Sequence, residues 1–228
     1  MARDRLNLLG FDTSTAATSA CVLRADGRAF ELRPPPAALF GAPGHSRELL
    51  PALAAALEQS ELDWPQLGAI AVGVGPGTFT GLRIGIATAR ALAGAAKVGL
   101  RPVSSLSALA AGIDAPLALP LIDARRGQLF GALYEGPEQR WPAFAERPEE
   151  LAERVRDAGV TPLAAGDGSV RFRELLEAAG IRVEPRSSAA HVISALHVCR
   201  LATGVASVPP GYVVPDYQRE PDAEPHSR

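Results

Sequence analysis

A chain of 228 residues is long enough to bury the core of one large domain or of two small lobes. With 47% hydrophobic and 21% charged residues, its composition excludes a wholly disordered chain and gives no sign of a membrane protein. The formal net charge of −2 leaves no overall electrostatic footprint for nucleic acid. No apolar run is long enough to cross a bilayer, and the start, MARDRLNLLGFD, carries charges without the apolar core of an export signal, so a cytoplasmic location is expected. Cys21 and Cys199, the only cysteines, then read as reduced core thiols rather than a disulfide.

Residues 6–11, 18–24 and 28–32 read as three strands, the last two joined through Ala25, Asp26 and Gly27, where Asp-Gly suits a hairpin turn. Asp12, Thr13, Ser14 and Thr15 crowd the first connection with one carboxylate and three hydroxyls. Such a cluster either faces a phosphate or metal-bound water or caps its own turn through side-chain hydrogen bonds. After an exposed loop rich in proline, glycine and alanine over 34–44, Ser46 opens a helix to about Gln59 with an apolar face of Leu49, Leu50, Leu53, Ala54 and Leu57. Pro51 falls within its first turns, where it is tolerated or kinks the helix.

Residues 70–74 form a strand buried on both faces, stopped by Gly75, Pro76 and Gly77. Thr78 or Thr80 caps the helix that follows, residues 82–97. Gly85, Ala89, Ala93 and Ala96 fall three or four residues apart beside Leu82, Ile86 and Leu92, a narrow stripe of very small side chains. The stripe either packs on the chain's own sheet or lets a foreign helix come close, and Gly85, costly inside a helix, points to close approach on one face. A phosphate loop is not written here. Gly81 is followed by Leu82 and Arg83 rather than Lys and Ser or Thr, and Gly73, Gly75 and Gly77 do not complete a dinucleotide fingerprint.

A strand over 99–103 and a helix over 104–113, capped by Ser104 or Ser105, complete this part. Residues 117–122 and the stretch IDARRGQLFGALY, 122–134, then open a second series of strands in which Asp123 takes the place of Asp12, an internal repeat. The remainder reads as helices over 148–158 and 170–179 separated by residues 161–165, and a long final helix over 187–203. Gly166, Asp167 and Gly168 make a turn too common to define a nucleotide site. Arg125 with Arg126, and Arg171 with Arg173, read as solvated faces.

Four segments carry a family resemblance: GPGTFTGLRIG (75–85), HSRELLP (45–51), RPVSSLSALA (101–110) and PDYQR (215–219), the last with Gln218 where the family has leucine. The chain resembles the TsaB (YeaZ) family, the partner subunit of the machinery that makes threonylcarbamoyladenosine in tRNA. The resemblance implies an α/β, two-lobed actin-like ATPase fold (ASKHA, ribonuclease H-like) with a reduced second lobe: residues 1–104, residues 105–219, and a disordered tail over 220–228. It implies a non-catalytic subunit that binds a TsaD-like transferase, with a TsaE-like ATPase in the assembled complex, tRNA reached through that complex, a homodimer as a further possibility, and no membrane.

The TsaD relative carries an HxxxH metal pair, whereas four residues after His45 stands Leu49, and His191 and His197 are six apart. No catalytic, cofactor or metal residues are therefore expected. The expected partner interface is the helix pair 46–59 and 82–97, through Leu50, Leu53, Leu82, Gly85, Ile86, Ala89 and Ala93. The alternative is a sugar-kinase-like phosphotransferase using Asp12 and Asp123 with magnesium and ATP.

Overall fold

The computed structural model describes residues 6–218. Strands β1 (Leu8–Asp12), β2 (Ser19–Leu23), β3 (Ala29–Leu32), β4 (Ala69–Gly73) and β5 (Gly99–Val103) form one sheet in the order β3-β2-β1-β4-β5. The first three are an antiparallel meander, turned at Gly27 (φ 91°), and β4 and β5 run parallel to β1. Helix α1 (His45–Ser60) links β3 to β4, α2 (Phe79–Ala96) links β4 to β5, and α3 (Ser105–Ala110) follows β5.

The second half repeats this plan element by element. Strands β6 (Leu117–Arg125), β7 (Gln128–Glu135), β8 (Glu138–Glu146), β9 (Leu163–Ala165) and β10 (Arg182–Val183) order as β8-β7-β6-β9-β10, with the same pattern of antiparallel and parallel pairs. Helix α4 (Pro148–Ala158) takes the place of α1, the broken pair α5 (Asp167–Arg171) and α6 (Arg173–Ala178) that of α2, and α7 (Ala195–Ala202) that of α3. The reduction falls on the parallel part of the second lobe: β9 has 3 residues and β10 has 2, against 5 in each of β4 and β5, whereas its antiparallel strands β6, β7 and β8 (9, 8 and 9 residues) are longer than β1, β2 and β3 (5, 5 and 4).

Strand alternation divides the core into layers. On the outer face of the first sheet, Leu9, Phe11, Val22, Ile70 and Val72 meet Leu49, Leu53 and Leu57 of α1 and Ile86, Ala89 and Ala93 of α2. The inner faces of both sheets share one cluster: Leu8, Cys21 and Ala71 from the first, Ile122, Phe130 and Tyr134 from the second, and between them Leu106 and Leu109 of α3 with Val198 and Cys199 of α7. The outer face of the second sheet packs Leu119, Leu121 and Leu133 on α4 and α6. The closing helices cross over: α3, from the first half, lies on β6, and α7, from the second, lies on β1 and β2.

Polar contacts hold α7 at both ends. Glu31 of β3 accepts from the Ser194 hydroxyl (2.6 Å) and the Leu196 amide (3.1 Å), while the Arg101 guanidinium of β5 donates to the Ala202 carbonyl (3.0 Å) and the Ser207 hydroxyl (3.0 Å). The following segment also returns to the first sheet, where Val208 bridges Leu100 and the Asp216 amide donates to the Val74 carbonyl. From Ser194 to Asp216 the chain thus makes contacts back to the first sheet, and the expected tail over 220–228 lies outside the described residues.

Three local expectations differ from what is observed. Strand β8 was not foreseen; its Pro142 lacks an amide proton, and only the edge position of β8 accommodates it. The helix expected over 187–203 is a 3-10 turn (Ala189–His191), an extended break and α7, because His191 is buried and Ser194 caps α7 by accepting from the His197 amide. At α2, Thr78 holds the N-cap position but its hydroxyl caps nothing; its amide donates to the Ser14 carbonyl at 2.7 Å.

Candidate functional site

Asp12 ends β1 and Asp123 lies two residues before the end of β6, corresponding positions of the two repeats, and both are buried. Each carboxylate is occupied by its own surroundings. Asp12 Oδ1 accepts from the Ser14 amide (2.8 Å) and hydroxyl (2.6 Å), and Oδ2 accepts from the Ser105 hydroxyl (2.6 Å). The cluster at residues 12–15 therefore caps its own turn. Asp123 Oδ1 accepts from the Arg125 amide (2.9 Å), and Oδ2 is paired with Arg171 (2.7 Å) and Arg125 (3.3 Å). Arg125 and Arg171, expected as solvated faces, clamp this acid.

The Asp123 amide in turn donates to Asp167 Oδ1 at 3.0 Å. Asp167 is fully enclosed, and burial pushes its carboxyl up to about 6, against the pull of the Asp123 and Gly168 amides. The Gly166–Gly168 turn is thus a strand-to-helix junction tied to the repeat acid, and the Gly166 amide donates to His191 Nδ1 at 3.0 Å. His191 Nε2 faces the Glu184 and Pro185 carbonyls, and burial lowers its pKa, so the neutral ring staples two loops.

His45 lies beside the first acid. Its Nδ1 is 2.8 Å from the Thr18 hydroxyl and its buried Nε2 has no partner. Burial lowers its pKa, opposed by the charges of Asp12 and Glu48. Cys21 and Cys199 are both buried, and contact with Cys21 together with burial raises the Cys199 thiol, the direction of an inert sulfur. Among the described residues no group of three or more His, Cys, Asp or Glu side chains could hold a metal ion, and no helix is long and apolar enough to cross a membrane.

The small-residue stripe of α2 faces inward. A Cβ at Gly81 would lie 2.0 Å from the Thr13 carbonyl oxygen, and one at Gly85 would lie 2.3 Å from Thr13 Oγ1. The glycines bring α2 against the turn after β1, and the Thr13 hydroxyl donates to the Gly81 carbonyl at 2.8 Å. Leu53, Leu82, Gly85, Ile86, Ala89 and Ala93 are all buried within the chain, and of the seven residues expected at a partner interface only Leu50, 57% exposed, faces outward. The other six pack against the chain's own sheet and the turn after β1.

On the opposite side of α2 runs a second series that the sequence reading missed. Thr80, Ala87, Ala91, Gly94 and Ala95 are exposed, at spacings that keep them on one helical face, and Arg83 is the one exposed charged side chain of the helix beside them. Beside it, α1 exposes Arg47, Leu50, Pro51, Ala54 and Glu58. At the start of α2, exposed Phe79 stacks on Tyr217 (5.6 Å between centroids) under the Arg83 guanidinium (3.6 Å), while Arg90 holds the Val213 carbonyl, so the C-terminal segment borders the same face.

A duplicated pair of five-stranded α/β lobes, with repeat-related acids at the ends of the first strands, defines a protein of the actin-like ATPase class. A family model described as TsaD, tRNA N6-adenosine threonylcarbamoyltransferase, matches residues 40–164. The tRNA threonylcarbamoyladenosine biosynthesis protein TsaB of Escherichia coli is 31% identical over 77% of this chain and 78% of its own length. TsaB of Bacillus subtilis is 34% identical over 57% of this chain, an alignment that spans 56% of that protein. The solved structure of YeaZ from Pseudomonas aeruginosa superposes with a TM-score of 0.75 at 27% identity, covering 93% of this chain and 99% of that one. A further structure, described as an uncharacterized protein with similarity to peptidase YEAZ from the same organism, gives 0.76. The chain belongs to the TsaB (YeaZ) family of tRNA threonylcarbamoyladenosine biosynthesis proteins.

Proposed function

We propose that this chain is a non-catalytic subunit that docks on a TsaD-like transferase and supports threonylcarbamoyl transfer to the adenosine beside the tRNA anticodon. The observation that carries the reading is the exposed small-residue face of α2 beside α1. Beyond Arg83, whose guanidinium lies over Phe79, this face offers Ala87, Ala91 and Gly94 with Leu50 beside them, a surface another helix pair can approach closely. The transferase family model aligns with residues 40–164, which include α1 and α2. A TsaD-like partner therefore has a counterpart pair, and two such pairs can meet about a pseudo-twofold axis as a four-helix bundle.

The tied acids support the absence of chemistry. A sugar-kinase-like phosphotransferase would need Asp12 and Asp123 open to magnesium and phosphate, yet both accept hydrogen bonds or ion pairs from their own lobes. A TsaE-like ATPase and the tRNA join through the assembled complex, and a second copy of the chain competes for the same helical face.

The test is Ala91→Arg and Ala87→Arg, which add charge and bulk at exposed helical positions without entering the core. Binding to the TsaD-like subunit, measured by calorimetry, should weaken by about tenfold or more, as for residues at the centre of an interface. Wild-type affinity in both folded variants would refute the face. Depletion of the protein with an unchanged level of the modified adenosine would refute the wider role.

A further inference from the structure

Two of the family-like segments, 75–85 and 215–219, meet on the surface at the start of α2. Phe79 and Tyr217, 43% and 41% exposed, stack with 5.6 Å between ring centroids. The exposed Arg83 lies with its guanidinium 3.6 Å from the centre of the Phe79 ring and donates through Nε to the Tyr217 hydroxyl at 3.3 Å. Tyr217 is held from behind, because the Asp216 amide donates to the Val74 carbonyl at 2.8 Å. Among the described residues Arg83 makes no ion pair and neither of its Nη groups has a partner. Arg90 of the same helix, by contrast, gives both Nε and Nη2 to the Val213 carbonyl. The first turn of α2 also holds no acidic side chain.

A guanidinium has flat faces that stack on a ring and an edge of N–H donors that meets oxygens. Here the Phe79 ring takes a face and the Tyr217 hydroxyl takes Nε, so the plane is fixed while the paired Nη edge stays open. Two parallel N–H groups match a carboxylate, which accepts both at once. Position adds an independent argument. Arg83 is the one exposed charged side chain of α2, and it stands beside Thr80, Ala87 and Ala91. A helix pair laid over those residues takes the guanidinium out of water, and a desolvated charge left unpaired weakens a complex heavily. We infer that Phe79, Arg83 and Tyr217 form a carboxylate clamp within the docking surface, taking the side chain of an aspartate or glutamate on the partner's helices. Because the guanidinium lies over the first residue of α2, a carboxylate there also meets the positive end of a helix dipole that the chain leaves without an acid of its own. The clamp rests on the docking reading but makes a separate demand, that the covering surface carry an acid at this point.

The experiment titrates the full chain into the TsaD-like subunit by calorimetry, with Arg83→Gln, Arg83→Lys, Arg83→Glu and Tyr217→Phe beside Ala91→Arg, each checked for folding by circular dichroism. Arg83→Gln should weaken binding by about thirtyfold or more, as for one member of a desolvated charge pair. Arg83→Lys keeps the charge and loses the fork, so it should fall between Arg83→Gln and wild type. Tyr217→Phe keeps the stack and frees Nε, and should show a smaller loss than Arg83→Gln. Each Asp and Glu on the partner's counterpart helices is then changed to Arg and titrated with Arg83→Glu, and one such pair should recover binding that both single variants lose. Wild-type affinity for Arg83→Gln, with Ala91→Arg still weakened, would overturn the clamp and leave the docking face standing. Wild-type affinity for both would remove the face and the clamp together. A loss in Arg83→Gln that no partner substitution rescues would overturn the carboxylate as the ligand. Self-association lost in Arg83→Gln by analytical ultracentrifugation, with binding to the TsaD-like subunit intact, would give the clamp to a second copy and overturn its assignment to the partner.

Discussion

Replacing Gly85 by alanine gives opposite results depending on which way its stripe faces. On an exposed helical face the change would stabilise the chain by up to about 1 kcal/mol through helix propensity. Here the new Cβ would stand 2.3 Å from Thr13 Oγ1, and Thr13 is 1% exposed, β-branched and bonded through that hydroxyl to the Gly81 carbonyl. Displacing it leaves a buried polar pair unmade, at about 1–3 kcal/mol, and overpacks the contact by a further ~1–3 kcal/mol. Net of propensity, Gly85→Ala should destabilise by about 1–5 kcal/mol. With a urea m-value of about 2–3 kcal/mol/M, the unfolding midpoint should fall by roughly 0.3–2.5 M. In a Thr13→Ala background the clash is gone, so the same substitution should cost much less or stabilise, a coupling that a double-mutant cycle reads directly. A midpoint at or above wild type for Gly85→Ala alone would mean that α2 does not lie against the β1 turn as described.

Two further outcomes follow from the acids. Asp167 has a folded pKa of about 6 against the ordinary carboxyl value of 3.8, so the folded chain binds more protons between those values and stability falls as pH rises through that window. Asp167→Asn keeps the acceptor for the Asp123 and Gly168 amides but removes the ionisation, and should gain roughly 1–3 kcal/mol relative to wild type between pH 4 and pH 7. Parallel urea midpoints for the two proteins across that range would exclude the assignment. Ser105→Ala strips the hydroxyl from Asp12 Oδ2 and the acceptor from the Gly75 amide, and should destabilise by about 1–3 kcal/mol in urea unfolding. A loss within the ±0.5 kcal/mol of a neutral surface change would show that Asp12 is satisfied some other way.

The first lobe was legible because its strands are strongly patterned and its punctuation is local. Asp26-Gly27 turns the hairpin, Gly75 to Gly77 stops β4, and α1 and α2 form where helices are expected, although Leu50 and Ala54 of the expected α1 face are exposed. The second lobe was harder because its parallel strands β9 and β10 are very short and its edge strand β8 is weakly patterned. Strand β8 carries Pro142 and fully buries only Phe144, so it lacks the apolar alternation that marks a half-buried strand. The break before α7 left no mark either, since residues 187–203 hold neither proline nor an interior glycine. What ends the helical run is tertiary: His191 is drawn to the Gly166 amide and two carbonyls, and Ser194 to Glu31. With β8 missing, the repeat could be seen only through Asp123 and not through the whole order of strands.

The candidate site shows a limit of periodicity itself. Helix α2 carries small residues on both sides, Gly85, Ala89 and Ala93 within and Ala87, Ala91 and Gly94 without, so spacing alone cannot say which series meets the sheet. The larger neighbours held the better clue. Leu82 and Ile86 fall on the same side as Gly85 and Ala89, and a face combining large apolar with very small residues fits a surface of uneven height such as a sheet crossed by a polar turn. A face that is small throughout fits only something equally regular, another helix. The inner series is therefore shaped by Thr13 and the outer one by whatever covers it. A bulky residue should act through stability on the inner side and through affinity on the outer.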